Sequence, residues 1–267
     1  MPIITLTTDF GLSDAYVGVM KGVILSIAPR AVLVDLCHEI PAQDVRAAAF
    51  ALYQAAPFFP SDTVHLAVVD PGVGSGRRAL AVRTDRGTFV APDNGLLSLV
   101  LVGEVCHDAV TLTSVAFRLP DVSTTFHGRD IFAPAAAHLA NGVPLSHLGS
   151  PAGHLVRLQL LKPEIRSTQA VVAHVLHVDH FGNLILDVRA DCLPHRPVLE
   201  IAGRVIGGLS GTYADGTPGE LVAYVGSTHD LVEIAVRDGD AARSTGTGVG
   251  AQVLIRRGAS AHGSEVT

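Results

Sequence analysis

Residues 63–69, TVHLAVV, are apolar at nearly every position. A strand with one wet face alternates apolar and polar side chains, so a run like this needs cover on both faces. That demand implies a layered domain, a central sheet with helices on either side. The flanking sequence supplies the layers. Residues 3–8 (IITLTT) form a β-rich run that stops at Asp9. Ser13 and Asp14 are placed to cap a helix whose apolar positions Tyr16, Met20, Val23, Ile24 and Ile27 share one face. Residues 32–36 (VLVDL) read as a second strand. Pro41 and Asp44 open a second helix, with Val45, Ala48, Ala49, Leu52 and Tyr53 at helical spacing, and Pro57 stops it. Shorter strands are expected at 79–84 and 87–91, and helices at 95–102 and 131–140. Residues 1–163 are therefore expected to form an α/β domain with a mostly parallel sheet and flanking helices.

After residue 150 the pattern changes. A polar break surrounds Lys162–Pro163–Glu164, and beyond it lie β-rich runs at 169–178, 183–188, 197–201, 204–208, 221–225, 231–236 and 252–256, joined by Gly, Asp, Pro and Thr turns. No amphipathic helix is evident there. Residues 164–258 are expected to form an all-β domain, a small barrel or a sandwich, and 259–267 a frayed, disordered tail.

Several partner classes are disfavoured. The 267 residues carry a net charge of −6 and no basic block, which argues against nucleic acid. No apolar run reaches the length of a membrane span. The N-terminus reads as a first strand rather than a signal peptide, so a cytoplasmic location is expected. Cys37, Cys106 and Cys192 are far apart without a C-x-x-C pair, so buried free thiols are expected.

In sheets of this kind ligands bind beyond the carboxyl ends of the strands. Asp9 and Asp70 both stand there. Asp70 opens DPGVGSGRR, residues 70–78. That loop lacks the Lys-Ser/Thr ending of a Walker A motif, its glycines do not fit G-x-G-x-x-G, and an aspartate at its mouth repels phosphate. It is either a turn with an Asp–Arg surface pair or half of a site. FHGRD (126–130) places His127 at a helix start, with Gly128 leaving a gap through which a ligand can be reached. An imidazole beside Asp and Arg is a candidate proton acceptor. His174, His177 and His180 look like metal ligands, but on a strand positions i and i+3 face opposite ways, so no metal site is expected. DHFGN (179–183) suits a turn. It equally suits a purine pocket, with an aromatic face, an amide for a base edge and a carboxylate for an ammonium. Tyr213 in GTYADG could add a second aromatic face, and APDNG (91–95) is a turn or the floor of the site.

TTDFG (7–11), IPAQDV around Asp44, VVDPGVGSGRR, APDNGLL, FHGRD and VDHFGNLI occur in this order. The set resembles the S-adenosyl-L-methionine (SAM) hydroxide adenosyltransferases, relatives of the fluorinase and chlorinase, from residue 3 to about residue 256. The resemblance implies an N-terminal α/β domain, a C-terminal barrel, and a homotrimer with the ligand between the first domain of one subunit and the second domain of its neighbour. It implies hydrolysis of SAM to adenosine and L-methionine by attack of water, formally hydroxide, on ribose C5′, with no cofactor and no metal. By motif position it implies a catalytic Asp70–Arg77–His127 triad. Asp9 matches the carboxylate holding the ribose hydroxyls, and Asp14 and Gly128 fall in the substrate-binding segments. Asp179, Phe181 and Asn183 match the segment binding the methionine amine and the adenine. Tyr213 matches an adenine-stacking aromatic, and Ser227 a methionine-carboxylate contact. The halogenating relatives carry a tyrosine in place of the aspartate of DPGVG, so Asp70 and His127 place this chain with the water-using branch. Two departures stand out. Ser227-Thr228-His229 replaces a more usual Ser-Arg-Gly or Ser-Ser-Gly, and Gln43 stands where the fluorinase has tryptophan. The chemistry implied needs a positioned water and a base, for which His127, alone or with Asp70, is the candidate, with Arg77 as electrostatic support. The rival readings are a SAM-dependent halogenase, a non-catalytic adenosine or SAM binder, and a metal-dependent hydrolase.

Overall fold

The computed structural model describes residues 1–258; the tail expected at 259–267 lies outside the described residues. The chain divides into two compact units, Met1–Leu158 and Gln159 onward.

The first unit contains β1 (Ile3–Thr8), α1 (Tyr16–Ile27), β2 (Val32–Cys37), α2 (Val45–Ala55), β3 (Val64–Val68), β4 (Ala79–Thr84), β5 (Gly87–Pro92), β6 (Asp108–Thr111), α3 (Ala133–Ala140) and β7 (Ser150–Pro151). The sheet order is β2-β1-β3-β5-β4-β6-β7. Strands β2, β1, β3 and β5 run parallel. The pairings β5–β4, β4–β6 and β6–β7 are antiparallel. The sheet is therefore mixed, where a mostly parallel one was expected. The cause is the short turn at residues 85–86, which returns β5 beside β4 as a hairpin and inserts it next to β3. A connection this short permits only antiparallel pairing.

Strand β3 is covered on both faces. Val64, Leu66 and Val68 pack with Met20 and Ile24 of α1 and with the alanines of α3. Ala67 and Val69 face the opposite way, toward Ala48 and Leu52 of α2. Asp44 caps α2 by accepting the Ala47 N–H at 2.9 Å. Neither Ser13 nor Asp14 caps α1. Ala15 occupies the N-cap without a side-chain bond, and Asp14 sits one position too early to reach the free N–H groups of the first turn. Residues 95–102 form a run of turns rather than the expected helix. Gly95 starts it at φ +96°, and its bonds alternate between i+3 (Ser98 to Gly95) and i+4 (Leu101 to Leu97) spacing.

The second unit contains β8 (Glu164–Ser167), β9 (Ala170–Val178), β10 (Leu184–Arg189), β11 (Pro197–Ile201), β12 (Arg204–Ile206), β13 (Leu221–Val225), β14 (Leu231–Val236), α4 (Ala241–Thr245) and β15 (Gln252–Arg257). All pairings are antiparallel, in the order β12-β11-β15-β9-β10-β14-β13 with β8 beside β9. Ser210, just past β12, donates its N–H to Ala223 of β13 at 2.8 Å, so the sheet curls into a nearly closed barrel. Alternate residues, among them Val171, Ala173, Val175, Leu184 and Leu186, fill its interior. The short helix α4 has no periodic signal of its own. It is made by its ends: Asp240 accepts the Arg243 N–H and Gly246 adopts the left-handed conformation that terminates it.

Among the described residues no helix is long and apolar enough to cross a membrane, and no group of three or more His, Cys, Asp or Glu side chains is gathered to hold a metal. The three cysteines are free, but Cys106 and Cys192 are exposed rather than buried, and Cys37 is half-buried.

Candidate active site

β1 and β3 are parallel neighbours, with Thr8 opposite Val68. Asp9 follows the end of one and Asp70 lies two residues past the end of the other, so sheet register alone brings the two carboxylates to the same edge. Both line a cavity of about 400 Å³ that also includes Tyr16, Gln43, His127 and Gly128. Asn94 of the APDNG turn supports it from behind, donating Nδ2–H to the Val69 carbonyl at 2.9 Å without lining the cavity.

The two adjacent arginines diverge. Arg78 pairs with buried Asp93 and donates to the His154 carbonyl, fastening residues 154–156 to the sheet with help from the Val156 N–H to Asp93 bond. Arg77 turns to the cavity side. Its Nε donates to both oxygens of Asp70 at 2.9 Å, and Nη2 adds a further bond to Oδ2. Its guanidinium carbon stands 5.0 Å from the centre of the Phe132 ring. The side chains of Arg77 and Asp70 are only 10% and 5% exposed, so this is not a surface pair. At such burial an ion pair holds its geometry, and breaking it leaves an uncompensated charge.

Nη2 of Arg77 also lies 2.9 Å from Nδ1 of His127. A guanidinium only donates. Nδ1 must therefore accept, which fixes the neutral imidazole with its proton on Nε2. Burial lowers the His127 pKa, and the charge of Arg77 lowers it further, against the opposing pull of Asp70 and Asp130. In this state the proton sits on Nε2, and a hydrogen bond to the Ser123 backbone pulls the pKa the other way, as the two aspartates do. The Nδ1 lone pair, the one acceptor of the neutral imidazole, is engaged by Arg77.

Two glycines make the arrangement possible. A Cβ on Gly74, which has φ +76°, would lie 2.5 Å from the Thr124 carbonyl oxygen; through this contact the Asp70–Arg77 loop rests on the His127 loop. A Cβ on Gly128 would meet Met20, Phe126 and Phe10 at 3.2–3.5 Å. Gly128 opens a wide π-helical turn over Gly128–Phe132, in which the Ala133 N–H reaches back five residues to the Gly128 carbonyl. Asp130, fully buried, ties the loop together by accepting the Ser123 N–H at 2.8 Å and bonds from Arg129. Burial pushes its pKa up, but these hydrogen bonds outweigh burial and leave it below the usual carboxylate range. Phe10, Tyr16 and Phe126 meet edge to face, with centroids 5.3–5.9 Å apart, and form the aromatic wall of the cavity.

Asp14 is exposed and does not line this cavity. In the second unit Phe181, Asn183 and Tyr213 line another cavity of about 420 Å³, together with Tyr224 and Gly239. Asp179 holds the turn beneath it. Its Oδ1 accepts the N–H groups of Phe181 and Asn183 at 2.9 and 2.8 Å, and Oδ2 accepts Asn183 Nδ2–H at 2.9 Å. Gly182, at φ +81°, lies so close to Asp240 that a Cβ would clash at 2.2 Å. Phe181 is left 72% exposed, a large aromatic with a free face. Ser227 is exposed, outside this lining, and precedes a tight turn in which His229 and Asp230 both have positive φ.

Sequence reasoning passed over Tyr224 and Glu233, which face each other across β13 and β14. Burial raises the pKa of both; Glu233 raises Tyr224 further, and Asp179 raises Glu233 further. Strand alternation was the only signal for them, and it marks an outward position without saying that a cavity lies there.

The chain matches the SAM hydroxide adenosyltransferase N-terminal domain over residues 4–149 and the C-terminal domain of the same family over residues 173–254. It is 43% identical over 263 residues to the (R)-S-adenosyl-L-methionine hydrolase of Salinispora tropica, covering 96% of this chain and 98% of that one. It is 43% identical over 258 residues to the protein of that name from Thermus thermophilus, covering 93% and 97%. Among solved structures, an uncharacterized conserved protein from Thermotoga maritima superposes with a TM-score of 0.88 at 34% identity, covering 96% of this chain and all of that one.

Proposed function

The chain belongs to the SAM hydroxide adenosyltransferase family, and from that premise we propose that it is a SAM hydrolase, releasing adenosine and L-methionine. The observation that carries this reading is the half-buried chain of contacts from Asp70 through Arg77 to His127, beside a cavity that also holds Asp9. A water molecule gripped between a carboxylate oxygen of Asp70 and the Nε2–H of His127 is oriented by one acceptor and one donor. Its free lone pair then addresses ribose C5′. The C5′–O bond forms as the C5′–S bond breaks, and the departing electron pair neutralises the sulfonium to a thioether. The oxygen that has attacked is an oxonium, a far stronger acid than any carboxylic acid. Asp70, although paired to Arg77, is basic enough to take that proton and pass it to solvent. The protein's contribution is chiefly alignment, which supplies several kcal/mol in well-oriented reactions. The chemistry asks for no cofactor, since no phosphoryl or carbonyl oxygen needs polarising.

Asp9 is assigned to the ribose hydroxyls, with Gly128 and Asp14 on the substrate's path. Phe181, Tyr213 and Asn183 are assigned to the adenine, and Asp179 and Ser227 to the amino-acid end. A homotrimer, with the first domain of one subunit against the second domain of its neighbour, would unite these groups around one substrate; sedimentation equilibrium tests it. Three free cysteines fit a reducing, cytoplasmic setting. The relatives named above carry the (R) descriptor, and the same sulfonium epimer is proposed as substrate here. A site that fixes both the ribose and the amino acid distinguishes the two pyramidal forms of the sulfur between them.

The deciding experiment incubates the pure protein with resolved SAM epimers in ¹⁸O-water. The reading requires methionine release, and adenosine labelled at its 5′ oxygen, from the (R) epimer in preference to the other. Unlabelled adenosine, or a 5′-chloro nucleoside formed only when chloride is present, would overturn it.

A further inference from the structure

We propose that Gln43 sets the selectivity of the site for a ribose bearing two free hydroxyls, its backbone N–H fixing Asp9 and its side-chain amide completing the diol site. The inference deepens the hydrolase reading and rests on its assignment of Asp9.

Six non-glycine residues have positive φ among the described residues, and Gln43, at φ 67°, is the one in the first unit. It also lines the cavity shared by Asp9, Asp70 and His127. A non-glycine residue held in the left-handed region points to a surrounding structure that requires it. The neighbouring bonds supply the constraint. Asp44 donates its N–H to the Pro41 carbonyl at 2.9 Å, Val45 donates to the Gln43 carbonyl at 3.0 Å, and Asp44 then caps α2. The result is that the Gln43 N–H points at Asp9 and meets Oδ2 at 2.8 Å. Asp9 sits on the loop after β1, where a carboxylate without an anchor would sample several rotamers. The bond takes up one acceptor position of Asp9 and leaves Oδ1 for a ligand.

The chemistry of a vicinal diol then gives the exposed Gln43 side chain its part. Each hydroxyl is both donor and acceptor, whereas an ionised carboxylate only accepts. Asp9 alone can receive the two hydroxyl protons but leaves the hydroxyl oxygens without donors. A primary amide donates and accepts, and Gln43, whose backbone holds Asp9, carries one on the lining of the same cavity. A ribose lacking one hydroxyl leaves part of this pair unmatched. The expected discrimination is about tenfold, the size of one net hydrogen bond.

The test compares the affinities of adenosine, 2′-deoxyadenosine and 3′-deoxyadenosine for the wild-type protein, Gln43→Gly, Gln43→Asn and Asp9→Asn, alongside kcat and KM for SAM. Glycine adopts φ 67° freely and keeps the N–H, so Gln43→Gly retains the Asp9 anchor while losing the amide. Asparagine tolerates the same backbone and keeps an amide of shorter reach, so it guards against a folding artefact. The proposal expects Gln43→Gly to lose about tenfold of the preference for adenosine over at least one deoxynucleoside, with the loss for SAM falling on KM more than on kcat. Gln43→Asn should lie between Gln43→Gly and wild type. A preference identical in wild type and Gln43→Gly overturns the proposal, as does Asp9→Asn with its ribose preference intact. Nucleoside selectivity behaving as expected, in a wild-type protein that releases no methionine from SAM, supports the proposal and sinks the hydrolase reading alone.

Discussion

Arg77 donates to Nδ1 of His127 across 2.9 Å while holding Asp70 with the same guanidinium. One side chain thus fixes both the orientation of the carboxylate and the tautomer of the imidazole. The first prediction follows from the tautomer. If His127 serves as an Nε2–H donor, a glutamine amide nitrogen at the same reach can replace it, whereas a base cannot be replaced in that way. His127→Ala is expected to lower kcat by about 10²-fold or more, in the range of a lost positioning or proton-transfer group. His127→Gln should recover at least tenfold of that loss in steady-state assays. Equal activity of the two variants would assign His127 to proton transfer instead.

Protonating His127 would place an N–H on Nδ1 against the N–H of Arg77. In the proposed mechanism the neutral form is the active one, and burial and Arg77 lower the pKa of His127. The acidic limb of log(kcat/KM) against pH is therefore expected below 6.5, with activity full above it. A limb centred above 6.5 would contradict the geometry.

Gly74 joins the Asp70–Arg77 loop to the His127 loop at a contact that no side chain can enter. Gly74→Ala combines a positive φ with a backbone clash at 2.5 Å. It should destabilise the protein by roughly 1–3 kcal/mol and reduce turnover by separating Asp70 from His127. Gly76→Ala, where a Cβ meets nothing within 4 Å, provides the comparison. Urea midpoints of the two variants should differ clearly, with Gly76→Ala close to wild type.

The turn between β13 and β14 places His229 and Asp230 at φ 51° and 56°, with the Leu231 N–H closing on the Thr228 carbonyl at 2.9 Å. Two positive φ values in succession suit Asn-Gly rather than His-Asp. The double variant His229→Asn, Asp230→Gly is expected to stabilise the protein by about 1 kcal/mol, read as a higher thermal midpoint.

His65 is buried in β3, stacked on Phe89 at 4.8 Å and bonded to Thr5 at 2.9 Å. Burial pushes its pKa down to about 4. Between the ordinary value near 6.5 and about 4, the unfolded chain holds the extra proton, so stability falls as pH drops through that window. The slope is at most about 1.4 kcal/mol per pH unit. His65→Asn keeps a partner for Thr5 and removes the titration. Its urea midpoint should fall less than that of wild type between pH 7 and 5.

Much of this site was legible in the sequence because it obeys strand logic. Asp9 and Asp70 end apolar runs, and a ligand beyond strand ends needs no further information. The divergence of Arg77 and Arg78 was not legible, since adjacent residues of one type give no sign of which will find Asp93 and which His127. The β4–β5 hairpin was implicit in the two-residue gap between the runs at 79–84 and 87–91, whereas the antiparallel addition of β6 and β7 beyond it carries no local signal. Residues 95–102 have the composition of a helix, but Gly95 enters in a conformation that a helix cannot start from. Gln43 carries no pattern, because positive φ at a non-glycine residue is imposed by its neighbours.

The wide turn at Gly128–Phe132 has a consequence for the evolution of this fold. It holds one residue more than an α-helical turn would, so the imidazole of His127 and the packed face of α3 are set at a rotational offset of about 100° from ordinary helical phase. Losing one residue there would leave Asp70, Arg77 and His127 in the sequence and the helix intact, yet swing the imidazole around the axis and out of the guanidinium's reach. The Asp70–Arg77–His127 geometry depends on a length as much as on an identity, and a homologue with all three polar residues but a shortened turn would keep the motif and lose the arrangement.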